Sequence, residues 1–210
     1  MAQFALPLGA ALGGAASRIV VGSANAAALE ACAQASHWPF RTAILFGPPA
    51  SGKSLIAQWF VQSGYGEAID DADRMDETAL FHRWNRAQEE ARPLLLTASA
   101  APEGEAAQGW QIALPDLASR LGAAMRLDIG APDDAMMADL LAAHAERRGL
   151  VLAQEGLRYL ASRCERSHEG ALRLIGIIDR LSLERKQPAG PAIWREALEE
   201  MAGETQPRLI

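Results

Sequence analysis

Thr42-Ala43-Ile44-Leu45-Phe46 is a short, wholly apolar run. It is followed at once by Gly47-Pro48-Pro49-Ala50-Ser51-Gly52-Lys53-Ser54 and then by Leu55-Ile56-Ala57-Gln58-Trp59-Phe60-Val61. The middle segment has the spacing G-x-x-x-x-G-K-[ST], and its flanks read as a buried strand and a helix, the context in which that spacing cradles phosphate. The glycines let the chain curl so that successive N–H groups point inward. Pro48 and Pro49 carry no N–H, so the donors are expected from Ala50, Ser51, Gly52, Lys53 and Ser54, where the start of the helix adds its positive dipole. Lys53 supplies a point charge for the outer phosphates, and the Ser54 hydroxyl is a Mg²⁺ ligand of the right kind. The only other lysine is Lys186. These residues imply binding of ADP or ATP with Mg²⁺.

The apolar runs place this loop in a larger pattern. Pro93-Leu94-Leu95-Leu96-Thr97-Ala98 reads as a second strand buried on both faces. Met125-Arg126-Leu127-Asp128-Ile129 reads as a last strand, after a short helix over Leu114 to Arg120. Between them, Asp76 to Ala91 carries Leu80, Trp84 and Ala87 at helical spacing. From Ala131 onward only helices are expected: 132–148, 154–164, 168–185 and 192–201. Alternating strands and helices followed by helices alone predict an α/β domain with a parallel sheet and a small all-helical lid. The expected division is an arm over 1–16, an α/β domain over 17–130 and a lid over 131–210.

Acidic residues stand where a sheet strand ends. Asp70 and Asp71 follow Ala68-Ile69, the position from which one carboxylate holds Mg²⁺ and the next orients or deprotonates the attacking water. Asp70 is thus read as a metal ligand with Ser54, and Asp71 as catalytic. The alternative is a helix cap, since Asp71 and Asp73 also precede a helical run.

At 210 residues the chain is long enough to bury a sizeable core, and 50% hydrophobic residues is ordinary for a globular protein. The net charge of −6 argues against a large nucleic-acid surface. Cys32 and Cys164 are isolated, as buried free thiols in a reducing compartment would be. The four histidines show no ligand spacing. The apolar N-terminus has no Lys or Arg before it, and Pro7, Gly9, Gly13 and Gly14 interrupt it, unlike a secretory signal. No stretch is long and apolar enough for a membrane span, so a cytoplasmic protein is expected.

Together these pieces resemble the AAA+ nucleotidases of the DnaA initiator clade, over nearly the whole chain. Ile19-Val20-Val21-Gly22-Ser23-Ala24-Asn25 is similar to the segment that lines the adenine pocket there, which implies roles for Val20, Val21 and Asn25. Ile69-Asp70-Asp71 is similar to the clade's Walker B strand, and Leu94-Leu95-Leu96-Thr97 to its sensor 1 strand. Leu114-Pro115-Asp116-Leu117-Ala118-Ser119-Arg120-Leu121 matches the segment that carries the clade's arginine finger, at Arg120. Glu169-Gly170-Ala171-Leu172, with Arg166 before it, resembles the sensor 2 helix, so Arg166 is implied in nucleotide binding. Gln3-Phe4-Ala5-Leu6-Pro7-Leu8 looks like the peptide by which replication proteins bind the sliding clamp. There Gln3, Phe4, Leu6, Pro7 and Leu8 would make the contact, and Gly9 to Ala16 the tether. The implied partners are the clamp and the initiator, with no strong direct DNA binding and with Arg120 acting in trans on initiator-bound ATP.

The sequence also departs from that family. Few residues lie between the helix ending near Ser63 and Asp70, where relatives have a strand and a helix. The family's strand order 5-1-4-3-2 puts the missing strand at a sheet edge, so four strands are expected. Ser99 replaces the sensor 1 Asp, and Ala50 replaces a frequent glycine. An independent small ATPase (a loader or remodeller) and a small-molecule phosphotransferase remain compatible with the phosphate loop.

Overall fold

The computed structural model describes residues 5–7, 18–99 and 110–205. They form two compact units, one of residues 24–130 and the other of 5–7, 18–23 and 131–205. The first is built on a parallel sheet of β3 (Thr42–Gly47), β4 (Glu67–Ile69), β5 (Leu94–Ser99) and β6 (Met125–Asp128), in the order β4-β5-β3-β6. This is the expected reduced sheet. With β6, β3, β5 and β4 taken as strands 5, 1, 4 and 3, the edge strand 2 has no counterpart among the described residues. Losing an edge removes one row of ladder bonds without splitting the core, which an internal strand could not do.

Central β3 is buried along its whole length, which is why its sequence is continuously apolar rather than alternating. Alternate residues serve opposite faces. Ile44, Phe46, Leu94, Leu96 and Ala98 pack with Leu80, Trp84 and Ala87 of α3 (Glu77–Glu89) and Leu117 and Leu121 of α4 (Pro115–Gly122). On the other side lie α1 (Ala26–Ala33) and α2 (Lys53–Gln62), with Phe60 of α2 stacked on Trp38 at 5.4 Å between ring centroids. Thr42, fully buried at the start of β3, donates to the Phe40 carbonyl at 2.9 Å and accepts from Trp84 Nε1 at 3.1 Å. The second unit contains the helices α5 (Asp134–Arg147), α6 (Gln154–Ala161), α7 (His168–Arg185) and α8 (Pro191–Thr205). It also holds a small antiparallel pair, β1 (Ala5–Pro7) with β2 (Arg18–Val20), in which Leu6 faces Ile19.

Cys32 and Cys164 are free and buried, and burial pushes their thiols up to about 12 and about 11. Among the described residues no helix is long and apolar enough to cross a membrane.

Candidate functional site

The phosphate loop joins the C-terminal end of β3 to the first turn of α2. A Cβ on Gly47 would stand 2.8 Å from Ser51 Oγ and 3.1 Å from Ile129 Cβ, so the chain passes too closely for a side chain. Gly52 has φ +87°, which glycine takes without strain, and Ala50 has φ +59°, which it does not. Glycine at that position should therefore relieve strain. Ala50→Gly is expected to raise unfolding stability by about 0.5–1 kcal/mol, read as a higher denaturation midpoint; an unchanged or lower midpoint would show that Ala50 adopts this geometry at no cost.

One expected donor is already in use: the Ser51 N–H bonds to the Pro48 carbonyl at 3.3 Å. The donors left to the loop are the amides at the start of α2, which have no partner within the helix. The Ser51 hydroxyl is buried without a hydrogen-bond partner, a polar atom aimed into its own loop. Lys53 Nζ donates to the carbonyls of Gly47 at 2.8 Å and Pro48 at 3.1 Å. Burial lowers the lysine's affinity for its proton, and Asp71, Asp73 and Asp70 oppose that shift. The free amides, the ammonium and the exposed Ser54 hydroxyl fit a nucleotide's phosphates with their Mg²⁺.

The carboxylates are positioned from β5. Thr97 donates its hydroxyl hydrogen to Asp70 Oδ1 at 2.6 Å and accepts the Asp71 N–H at 2.9 Å. Asp71 sits at φ +47°, a backbone that Asp tolerates better than most residues. Its side chain makes no cap hydrogen bond to the short 3-10 turn over 72–74 that follows it. The cap of α3 is Asp76, which accepts from Ala79 N at 2.9 Å, and Asp73 instead accepts from the Ser99 backbone N–H at 3.1 Å. Among the described residues the Asp71 carboxylate has no hydrogen bond, and it stands close enough to Lys53 to act on its charge.

Arg120 lies in the last turn of α4. Its guanidinium rests 4.6 Å from the Trp84 ring centroid and 5.1 Å from that of Phe81, both on α3. It makes no ion pair or hydrogen bond among the described residues. The other end of α4 is also tied to α3, since the Glu77 carboxylate accepts from Ala113 N at 2.9 Å and Leu114 N at 2.6 Å. Thr97, Asp73, Glu77, Phe81 and Trp84 were not singled out by sequence as site residues. Three of them carried a weaker signal: Trp84 its place on the apolar face of α3, Thr97 its place in the strand similar to sensor 1, and Asp73 its place before a helical run.

Within the other unit, Gly22 passes so close to α5 that a Cβ would lie 2.7 Å from Met136 Sδ. Ser23 Oγ donates to Asp133 at 2.7 Å, and Asp133 caps α5 by accepting from Met136 N at 2.8 Å. These bonds, that from Met136 first, hold the Asp133 carboxyl below its ordinary range. Val20 is buried here, whereas Asn25 is buried in the α/β unit beside α1. Arg166, at the corner before α7, pairs with Asp134 at 2.7 Å, and both side chains are largely exposed. Ser167 caps α7 by accepting from Gly170 N at 2.8 Å, and a Cβ on Gly170 would meet the Glu165 carbonyl at 2.8 Å. Gln3, Phe4 and Leu8 lie outside the described residues, and of Leu6 and Pro7 only the strand backbone is described.

Residues 134–189 match the family model "Hda, lid domain". Domain III of the Thermotoga maritima replication initiation protein DnaA aligns with a TM-score of 0.64 at 16% identity, over 89% of this chain and 95% of that one. The fold is that of DnaA domain III, and residues 134–189 are Hda-like. The T. maritima RuvB Holliday junction branch migration motor aligns at 0.58 with 16% identity, over 85% of this chain and 69% of its own. AMPPCP-bound DnaA from Aquifex aeolicus aligns at 0.55 with 18% identity, over 79% and 65% respectively. A search of curated protein sequences gave no match. At these identities the aligned structures speak for the AAA+ fold, while the lid match singles out the Hda-like character of residues 134–189.

Proposed function

We propose that this chain is a clamp-docked AAA+ regulator that promotes hydrolysis of ATP bound to a DnaA-type initiator, and so restrains new rounds of replication. The observation that carries this reading is the Hda-like lid on a DnaA-type AAA+ fold. The chain holds ADP or ATP through the free amides of its phosphate loop, Lys53 and Ser54, with Asp70 beside the Mg²⁺. Bound Mg²⁺ supplies charge neutralisation at the phosphates. Val20, Val21, Asn25 and Arg166 complete the nucleotide contacts. Arg120 acts in trans, on the ATP of the initiator. One positive charge set against the developing γ-phosphate charge accelerates such hydrolysis by about 10³–10⁵-fold. The deciding assay is ATP turnover by the chain alone, by the initiator alone, and by both with DNA-loaded clamp. Stimulation only in the complete mixture supports the proposal, and turnover confined to the isolated chain refutes it.

A second reading, an independent small ATPase such as a loader or remodeller, draws on the Asp71 carboxylate, which is free of hydrogen bonds and close to Lys53. Against it, Ser99 brings no carboxylate to the end of β5, and its backbone N–H is taken by Asp73. The same assay separates the two.

Clamp docking is assigned to Gln3, Phe4, Leu6, Pro7 and Leu8. Extended backbone at Ala5–Pro7 is the conformation such a peptide needs. Replacing Leu6 and Leu8 together by Ala removes two apolar side chains worth about 1.5–3 kcal/mol each when fully desolvated. Clamp binding is expected to fall below detection in gel filtration while ADP affinity stays as it was. Co-elution of the double variant with the clamp would assign the segment another role.

A further inference from the structure

We infer that Phe81 and Trp84 form an aromatic platform that positions Arg120 for its action in trans; this rests on the finger role proposed above. An arginine side chain has several rotatable bonds, and an unsupported one spreads its charge over many rotamers. A finger works only if the guanidinium is already where the charge develops, because fixing it during the reaction costs rate. Ion pairs would fix it at the cost of occupying its donors. Arg180 illustrates that outcome: it is held by the carboxylates of Glu184 and Glu200.

Arg120 is held differently. Its central carbon lies over two ring faces, 4.6 Å from the Trp84 centroid and 5.1 Å from that of Phe81. A ring face takes no N–H donor in exchange for an acceptor, and among the described residues no carboxylate pairs with Arg120, so its donors stay available for phosphate oxygens. The platform is itself rigid. Trp84 is 4% exposed and anchored by its Nε1–H to Thr42 in the central strand. Phe81, one turn earlier on α3, packs against the same core while keeping part of its ring at the surface. Glu77, on the same helix, fixes the start of α4 through the Ala113 and Leu114 amides. One helix therefore sets both the helix that carries Arg120 and the place of its charge.

Phe81 is the residue to vary, because Trp84 is needed for the core. Phe81→Leu keeps the apolar bulk and removes the π face; Phe81→Tyr keeps both. In the complete hydrolysis assay Phe81→Leu is expected to lower the maximal stimulated rate by about 10–100-fold, the size of effect that misplacing a reacting group produces. The concentration of this chain giving half-maximal stimulation should not change, and Phe81→Tyr should restore the rate. A purely structural role for Phe81 would lower thermal stability and ADP affinity along with the rate. The platform reading requires both to stay near wild type.

A second readout is independent of activity. In protein labelled with 5-fluorotryptophan, the Trp84 ¹⁹F resonance, assigned by its loss in Trp84→Phe, should shift in Arg120→Ala and in Phe81→Leu. Full stimulation by Phe81→Leu, in a preparation where Arg120→Ala abolishes it, overturns the platform and leaves the finger reading standing. Full stimulation by Arg120→Ala overturns the finger reading and with it this inference. An unmoved Trp84 resonance in Arg120→Ala shows that the stack does not form in solution, and overturns the platform alone.

Discussion

Arg120→Ala is expected to leave this chain's own ADP affinity and clamp binding unchanged, and to abolish its stimulation of ATP hydrolysis by the initiator. The expected loss is the whole finger effect, about 10³–10⁵-fold in the stimulated rate. The reason is local. Arg120 lies in the last turn of α4 with its guanidinium supported by Phe81 and Trp84 and free of acidic partners among the described residues. Alanine removes the charge without breaking an ion pair, and so without leaving a carboxylate unpaired. Arg120→Lys should rescue poorly, because an ammonium is a point charge that lacks the planar fork for two phosphate oxygens and stacks less well on rings. The measurement is loss of ATP from purified initiator with clamp and DNA. Full stimulation by the alanine variant would mean that the charge comes from another residue.

Lys53→Ala should abolish measurable ADP binding. Lys53 Nζ makes two hydrogen bonds within the loop, to the carbonyls of Gly47 and Pro48, and stands beside three carboxylates. Replacing a phosphate's only ammonium partner forfeits charge-assisted bonds worth about 1.5–3 kcal/mol each, so losing two weakens affinity by roughly 10²–10⁴-fold. Lys53 is the only lysine of the α/β unit, and Lys186, the one other lysine, is the C-cap of α7. Removing Lys53 also takes away a positive charge that offsets Asp70, Asp71 and Asp73, so added Mg²⁺ should not rescue binding of the phosphates. Calorimetry with ADP decides it, and an affinity equal to wild type would remove the phosphate loop from the nucleotide site.

The two variants also separate two levels of function. Lys53→Ala acts on the chain's own nucleotide, whereas Arg120→Ala acts on that of the partner. If both abolish stimulation but only Lys53→Ala abolishes ADP binding, the chain's resident nucleotide is a structural requirement for presenting Arg120.

Much of the α/β unit was legible in the order of residues. The spacing from Gly47 to Ser54 permits few structures other than a strand, a phosphate loop and a helix. The continuous apolar runs at 42–46 and 93–98 announced strands buried on both faces, and they pair side by side at the centre of the sheet. The four-stranded sheet was legible too, because a missing segment between Ser63 and Asp70 is tolerable only at an edge. The strain at Ala50 was readable as a consequence of replacing glycine in a loop that needs φ > 0, and φ is +59° there. Each of these depends on near neighbours in the chain: backbone dihedrals, periodicity and the burial of a single run.

What the sequence left open depends on residues that come together from afar. Asp71 and Asp73 preceded a helical run and could have been its caps. Only the packing of β4 against β5 assigns the cap to Asp76 and turns Asp73 toward Ser99 and Asp70 toward Thr97. Nothing in the order of residues says that the Ser51 N–H is used by Pro48, or that Glu77 holds the start of α4. The stack of Arg120 on Phe81 and Trp84 joins a residue to a helix on the far side of a whole strand. Local sequence determined the phosphate loop and the central strands of the parallel sheet, because backbone propensity and apolar periodicity act over a few residues, while Arg120 was pointed to by the resemblance of residues 114–121. Tertiary structure decided which carboxylates are held, which donors stay free and where Arg120 rests, because those outcomes are set by close packing between segments that no local pattern encodes.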